Sequence, residues 1–189
     1  MRVMTRLVAG LDPGEWDVDA RQEVSALFDD LADEWHLRAS PERTAVVADA
    51  LERGLIRRGL DTAVEVGSGI GTYSALLGGH FHTVVSVDLS LRMLLHADPA
   101  TLRVQADGGL LPLRDRSVDG VVLINAFAFP DEIDRVLRPG GSLIWVNSSG
   151  EETPIHLSTS DLVDSLPFEV HGVESRAGAG TWAVLTRVP

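Results

Sequence analysis

The sequence predicts a doubly wound α/β fold, with a mostly parallel seven-stranded sheet, a C-terminal antiparallel hairpin and N-terminal helices. Short β-branched apolar runs alternate with short helical segments from residue 61 onward. These runs are apolar on both sides, as expected for parallel strands that helices cover on both faces. The last two runs are joined by a short glycine-containing segment, which favours a hairpin.

Two helices are predicted ahead of the sheet. The segment Asp17–Trp35 carries an apolar stripe at helical spacing, made of Val24, Leu27, Phe28, Leu31 and Trp35. The stripe fits either a lid over a binding site or ordinary core packing, and core packing is the simpler interpretation. A second helix begins at Ser40-Pro41-Glu42, which supplies a capping hydroxyl, a proline and an acid in the first turn, and it extends to about Arg58.

The remaining elements follow in alternation. Five core strands are predicted at Ala63–Val66, Thr83–Val87, Leu102–Gln105, Val118–Ile124 and Ser142–Val146. Helices are predicted between them at Thr72–Leu77, Ser90–Ala97 and Asp131–Leu137, and right-handed crossovers then give a doubly wound sheet. The spacing of Ser158 and Asp161 predicts one more short helix start. The hairpin strands are Phe168–Glu174 and Thr181–Arg187.

The length and composition predict one domain over residues 1–189, with helices at 16–58 packing on a core at 61–189. The chain has 189 residues, of which 44% are apolar and 23% charged, as in an ordinary globular domain. The apolar run at the N-terminus is too short for a signal peptide, and no uncharged stretch is long enough to cross a membrane. We expect a soluble, cytoplasmic protein, and the sequence does not indicate its oligomeric state.

The formal net charge of −12 argues against nucleic acid and anionic membranes as partners, because both require clustered cations. All 16 basic residues are arginines, so lysine-based Schiff-base chemistry has no residue to use. Cysteine is absent, which removes disulfides and thiolate nucleophiles. The six histidines have no metal-ligand spacing, so no metal is predicted.

The strongest local motif is Glu65-Val66-Gly67-Ser68-Gly69-Ile70-Gly71, which lies between a predicted strand and a predicted helix. Glycines at these positions let the backbone turn tightly and approach a ligand closely. The helix that follows offers N–H groups to an anionic group. A dinucleotide fingerprint would have its third glycine at position 72, which is Thr72 here.

Four ordered blocks resemble the class I S-adenosylmethionine-dependent methyltransferases, which have a Rossmann-like core. The first is the glycine motif with its preceding acid, and the second is Asp88 at the end of the next strand. The third and fourth are Gln105-Ala106-Asp107-Gly108 with Leu111–Asp119, and Arg135–Gly141 before a strand. The resemblance extends from about Asp61 to Val146.

The resemblance implies S-adenosylmethionine as cofactor and assigns residues to it. Glu65 is expected near the amino group of the methionine part, Asp88 at the ribose hydroxyls and Asp107 at the adenine amino group. Asp88 also fits a solvated acid at a strand end, and Asp107 fits a loop cap. The remaining cofactor-binding residues implied are Gly67, Ser68, Gly69, Gly71, Tyr73, Leu89, Ala106, Gly108 and Asn125.

Two residues are candidates for a catalytic role. Asn125 follows the fourth strand, where the family places residues nearest the reacting sulfur, although a polar cap at a strand end explains it equally well. His156 follows the fifth strand and is a candidate general base, since ligands bind beyond the carboxyl ends of parallel strands. A surface or core histidine is the simpler interpretation. The loop after Asn125 is shorter than is typical of the family.

The function predicted is methyl transfer from S-adenosylmethionine to a small-molecule acceptor by direct displacement. One alternative is a non-catalytic module that binds the same cofactor, which the short loop after Asn125 leaves open. A second is a nicotinamide-dependent oxidoreductase, against which Thr72 and the terminal hairpin both argue. The identity of the acceptor does not follow from the sequence.

Overall fold

A computed structural model describes residues 1–55 and 60–189 of the chain. The helices are α1 (Arg2–Val8), α2 (Val18–Leu31), α3 (Pro41–Asp49), α4 (Ser74–Leu77), α5 (Leu91–His96), α6 (Pro130–Val136) and α7 (Thr159–Ser165). The strands are β1 (Leu60–Val66), β2 (Phe81–Asp88), β3 (Leu102–Gln105), β4 (Val118–Ile124), β5 (Leu137–Asn147), β6 (Val170–Ala177) and β7 (Gly180–Arg187). A 3₁₀ helix of seven residues lies at Ala32–Arg38, a single 3₁₀ turn at Gly150–Glu152, and a π-helical turn at Ala50–Gly54.

In the described part of the chain the strands form one seven-stranded sheet in the order β3-β2-β1-β4-β5-β7-β6. The pairs among β1 to β5 are parallel, whereas β7 pairs antiparallel with both β5 and β6. The predicted doubly wound sheet with a C-terminal hairpin is therefore confirmed. The order reverses between β1 and β4, so the crevice at their carboxyl ends is the expected ligand site.

The central strands of the sheet are buried on both faces, which explains why they are mostly apolar. In β4, Val121 and Leu123 pack on one face, while Val122 and Ile124 pack on the other. Residues of β5 alternate in the same way, because successive side chains of a strand point to opposite faces. Glu65 belongs to β1. Its neighbours Val64 and Val66 pack in the same hydrophobic cluster as Val121 and Leu123 of β4.

Sequence signals set most helix starts correctly. Ser40 accepts a hydrogen bond from the Arg43 amide, with Pro41 at the first helical position. Ser158 caps α7 in the same way through the Asp161 amide. The predicted end of the second helix near Arg58 lies outside the described residues.

Several element bounds differ from the prediction by one to three residues, and three further differences are larger. The helix predicted as Asp17–Trp35 changes to a 3₁₀ turn at Ala32, where Asp33 bonds to Arg92 and His96 of α5, a contact that local periodicity does not encode. Strand β5 starts at Leu137 rather than at Ser142, because Leu137 pairs with Val118 across a register shift. Helix α1 lay outside the prediction.

Candidate active site

A glycine loop follows β1 at the point where the strand order reverses. Gly67, Gly69 and Gly71 have φ values of +70°, +56° and +71°, which strongly favour glycine. A Cβ on Gly67 would lie 2.8 Å from the Cβ of Ala126, which follows β4. The loop therefore turns tightly against the end of the neighbouring strand.

The carboxylate of Glu65 is buried beneath this loop. Its Oε2 accepts a hydrogen bond from the Ser74 hydroxyl at 2.6 Å and a longer one from Ser86 at 3.4 Å. Ser86 is the residue that pairs with Glu65 across β1 and β2. Burial raises the pKa of Glu65 to about 7, and the two hydroxyls counteract this only in part. The group is ready to ionise when a cation enters the cavity.

Asp88 ends β2 and holds the glycine loop from the side. Its Oδ2 accepts the Gly69 amide at 2.7 Å, and its Oδ1 accepts the Ser90 amide at 2.8 Å. Burial raises the pKa of Asp88, while these amide hydrogen bonds act in the opposite direction. The carboxylate thus links the loop to the start of α5.

Asp107 follows β3 and is surrounded by donors. Its Oδ1 accepts the Gly109 amide at 2.8 Å and the Trp16 indole N–H at 3.0 Å. Its Oδ2 accepts Trp16 at 3.1 Å and the Arg21 guanidinium at 3.1 Å. Asp107 caps its own loop, which was the alternative interpretation, and it also binds the N-terminal segment.

Ser68 presents a hydroxyl without an internal partner. The residue is 8% exposed, and among the described residues its Oγ has no hydrogen-bond partner. A hydrogen bond from a polar ligand atom would stabilise a buried hydroxyl of this kind, because a buried polar group without a partner costs free energy. Ser68 lies between Gly67 and Gly69 and lines the same cavity.

Asn125 follows β4 with a φ of +52°, an uncommon conformation that asparagine tolerates. Its Oδ1 accepts the Ser148 amide at 2.8 Å, and its Nδ2 donates to the Ser148 hydroxyl at 2.9 Å. The side chain therefore joins the ends of β4 and β5. Asn125 lines the cavity, and half of the hydrogen-bonding capacity of its side chain is already used by Ser148.

The N-terminal helical segment covers the crevice. Val24, Phe28 and Trp35 of the predicted stripe line the cavity together with Trp16. Val24 also packs in a hydrophobic cluster with Trp16, Phe28, Phe127 and Ile155, so both the lid and the core-packing interpretations describe this stripe. Leu27 is 41% exposed and lies outside that contact. Asp29 accepts the Ser90 hydroxyl at 2.5 Å, which fastens α2 to the start of α5.

One cavity brings together most of the predicted site. Its lining includes Glu65, Gly67, Ser68, Gly69, Tyr73, Asp88, Leu89, Ala106, Asp107, Gly108 and Asn125. Gly71 is not among the described lining residues, and its positive φ serves the turn behind the loop. The three carboxylates at the ends of β1, β2 and β3 thus face one space.

His156 does not line this cavity in the described part of the chain, whereas its neighbour Ile155 does. Adjacent residues point in different directions here, so the position after β5 does not bring the imidazole to the site. Burial lowers the pKa of His156, and the nearby charge of Arg2 lowers it further. The structure gives this histidine no contact with the cavity.

Several lining residues were missed by sequence reasoning. Arg38 and Arg43 lie before the sheet, and Phe127, Phe129 and Ile155 follow strand ends. Trp16 packs edge-on against Phe127 and Phe129, with ring centroids 5.7 and 5.6 Å apart. The aromatic residues after Asn125 were a usable signal, because they directly follow a strand end at the ligand edge. Neither arginine had a local signal.

Two features are absent from the described part of the chain. Within residues 1–55 and 60–189, no group of three or more His, Cys, Asp or Glu side chains could hold a metal ion. In the same residues, no helix is long and apolar enough to cross a bilayer.

Comparison with protein families gives a match over residues 64–145 to the model described as a methyltransferase domain. The matched region runs from within β1 to near the end of β5, and so includes the glycine loop, Asp88 and Asp107. No curated protein matches the sequence.

Solved structures share the fold at low sequence identity. A SAM-dependent methyltransferase from Thermotoga maritima has a TM-score of 0.66 and 20% identity, covering 86% of this chain and 99% of the other. One from Aquifex aeolicus has a TM-score of 0.61 and 16% identity, covering 93% and 100%. The complex of DhpI with SAH has a TM-score of 0.68 and 18% identity, covering 89% and 97%.

Proposed function

Because residues 64–145 match the model of a methyltransferase domain, we propose that the chain is a class I S-adenosylmethionine-dependent methyltransferase, which transfers the cofactor's methyl group to a small-molecule acceptor by direct displacement. The observation that carries the proposal is one cavity with three strand-end carboxylates beside a glycine loop. Its chemistry suits a nucleoside that bears an amino acid.

The residues present fit this cofactor. The glycine loop offers close backbone approach where a side chain at position 67 would collide with Ala126. Ser68 supplies a buried hydroxyl that needs a partner. Glu65 is suited to the amino group of the methionine part, because a buried carboxylate gains most from a cation. Asp88 is suited to the ribose hydroxyls, since a carboxylate can accept two hydrogen bonds side by side.

The apolar part of the cavity is suited to the acceptor. Val24, Ile124, Ala126, Phe127 and Ile155 contribute no charge there. When bound, S-adenosylmethionine supplies a methyl group on a positively charged sulfur that is a good leaving group. Since positive charge is lost during transfer, an anionic lining at that point would stabilise the ground state more than the transition state.

Alignment of the reactants is the chain's main contribution in this proposal. Orientation of bound reactants provides about 7–11 kcal/mol in well-placed systems. The lid residues Trp16, Phe28 and Trp35 exclude water from the aligned groups. No general base is assigned, because His156 does not face the described cavity and Asn125 is bound to Ser148.

Calorimetry and native mass spectrometry test the proposal. We expect freshly purified protein to retain S-adenosylmethionine or S-adenosylhomocysteine in the mass spectrum. We also expect titration with S-adenosylhomocysteine to give saturable heat, and titration with NAD to give none. Binding of NAD without binding of S-adenosylhomocysteine would overturn the proposal and favour an oxidoreductase.

A further inference from the structure

Two arginines of the cavity lining have no acidic partner in the described part of the chain. Arg38 and Arg43 both line the cavity, and among the described residues neither forms an ion pair with Asp or Glu. By contrast, Arg53 pairs with Asp49 and Arg92 pairs with Asp33. Unpaired arginines at a cavity are notable in a chain of net charge −12.

The contacts that these arginines do make leave donors available. Arg43 donates one N–H to the carbonyl of Arg38 at 3.0 Å. The Arg38 guanidinium lies 5.0 Å from the ring centroid of Trp35, in a cation–π contact that uses none of its N–H groups. A guanidinium presents five N–H donors in a fixed plane, a geometry that matches a carboxylate.

Arg43, Glu65 and Tyr73 line the same cavity. Burial raises the pKa of the Tyr73 hydroxyl, and the charge of Arg43 opposes that change while the charge of Glu65 adds to it. Both charged groups are therefore near Tyr73. An amino acid carries its ammonium and carboxylate on one carbon, so a cation close to the Glu65 position is suited to a carboxylate.

The cavity also has a concentration of aromatic side chains. The chain contains four Trp, one Tyr and five Phe, and six of these ten residues line the cavity. They are Trp16, Phe28, Trp35, Tyr73, Phe127 and Phe129. Such a lining favours a flat apolar molecule. Together with the two arginines, it favours a flat molecule that carries an acidic group.

We propose that Arg38 and Arg43 form a carboxylate-binding site at the rim of the aromatic cavity. This inference rests on the proposed function, because the site is part of the same cavity. The carboxylate has two sources with the same chemistry, the methionine part of the cofactor and an acidic aromatic acceptor. The arginines allow an anion to enter a space that Glu65, Asp88 and Asp107 would otherwise make repulsive.

The first arm of the experiment tests the cofactor as the source. Calorimetry compares S-adenosylhomocysteine with 5′-methylthioadenosine, which lacks the amino acid, on wild type, Arg38→Gln and Arg43→Gln. Arg176→Gln is the charge-matched control, because Arg176 is exposed on β6 and does not line the described cavity. If the cofactor is the source, Arg43→Gln lowers the affinity for S-adenosylhomocysteine about tenfold or more and leaves the affinity for 5′-methylthioadenosine unchanged.

The second arm tests the acceptor as the source. Protein saturated with S-adenosylhomocysteine is titrated with indole-3-carboxylate and with indole-3-carboxamide, and binding is followed by ligand-detected NMR. If the acceptor is the source, the carboxylate binds about tenfold or more tightly than the amide. That preference disappears in Arg38→Gln or Arg43→Gln and persists in Arg176→Gln.

A positive result in either arm supports the site and names its source. The proposal is overturned if neither variant changes S-adenosylhomocysteine affinity and no arginine-dependent preference for the carboxylate is seen. Retained 5′-methylthioadenosine binding shows that the variants are folded. Wild-type protein that binds neither nucleoside would instead overturn the proposed function, which is a distinguishable failure.

Discussion

The indole N–H of Trp16 lies 3.0 Å from one carboxylate oxygen of Asp107 and 3.1 Å from the other. The Arg21 guanidinium and the Gly109 amide also donate to this carboxylate. Together the three donors make four contacts, about as many as the lone pairs of a carboxylate can accept. Asp107 is also our proposed acceptor for the adenine amino group. An adenine amine that binds there must displace a donor, so the N-terminal segment and the cofactor compete for one carboxylate.

Replacement of Trp16 by phenylalanine tests this competition. Trp16→Phe removes the N–H donor and keeps an aromatic ring against Phe127 and Phe129. We expect S-adenosylhomocysteine to bind about 2- to 10-fold more tightly, which corresponds to the net value of one hydrogen bond. Calorimetric titration measures the change.

The matched control for this prediction is Trp182→Phe. The Trp182 indole donates to Asp49 at 2.7 Å, and the residue does not line the described cavity. We expect Trp182→Phe to leave the affinity for the cofactor unchanged. An unchanged or weaker affinity in Trp16→Phe would show that adenine does not exchange with the indole.

Loss of the Asp88 carboxylate removes a loop contact and the proposed ribose contact together. We expect Asp88→Ala to weaken S-adenosylhomocysteine about 100-fold or more, because a buried charged acceptor of several hydrogen bonds is lost. Asp98→Ala is the control, since Asp98 accepts the amide two residues onward at 2.8 Å, as Asp88 does, but outside the described cavity lining. Equal affinities in the two variants would contradict the assignment of Asp88.

A valine at position 69 tests the glycine loop. Gly69 has a φ of +56°, and a Cβ there would lie 3.3 Å from the Trp35 indole nitrogen. Gly69→Val therefore strains the loop and narrows the space beneath the lid. We expect loss of detectable S-adenosylhomocysteine binding, with a far-UV circular dichroism spectrum like that of wild type. Tight binding by this variant would count against the loop as the cofactor site.

The parts of the fold that were predictable are those set by local pattern. Apolar runs in the sequence predicted the buried strands correctly, because β4 and β5 pack against a hydrophobic core on both faces. The glycine motif and Asp88 were predictable as neighbours, because β1 and β2 are consecutive parallel strands. Their carboxyl ends must meet at one edge of the sheet.

The contacts that were not predictable join residues far apart in sequence. Trp16 is 91 residues from Asp107, and its indole binds there through an orientation that periodicity does not encode. Arg43 lines the cavity from α3, a helix that precedes the sheet. Asn125 was recognised as a strand-end residue, but its double contact with Ser148 depends on a left-handed backbone.

Asp119 stabilises the opposite end of the sheet from the cavity. This buried residue of β4 accepts the amides of Asp61 and Thr62 at 3.2 and 3.0 Å and forms an ion pair with Arg138. We expect Asp119→Ala to lower the free energy of unfolding by about 3 kcal/mol or more in urea titrations. We expect Asp119→Asn to lose less stability, because its amide oxygen still accepts hydrogen bonds from the two backbone amides. Cofactor affinity stays unchanged in both, and a loss confined to affinity would contradict this structural role.

The ionisation of Glu65 predicts how cofactor affinity depends on pH. Burial raises its pKa to about 7, so the side chain is neutral below that value in the free protein and cannot pair with an ammonium group. Affinity for S-adenosylhomocysteine should therefore rise between about pH 5.5 and about pH 7.5. Near neutrality binding releases a proton, which calorimetry in two buffers of different ionisation enthalpy detects. Glu65→Gln has no charge to gain and should give a weaker affinity with a flatter pH profile. A wild-type profile as flat as that of Glu65→Gln would show that Glu65 does not receive the amino group.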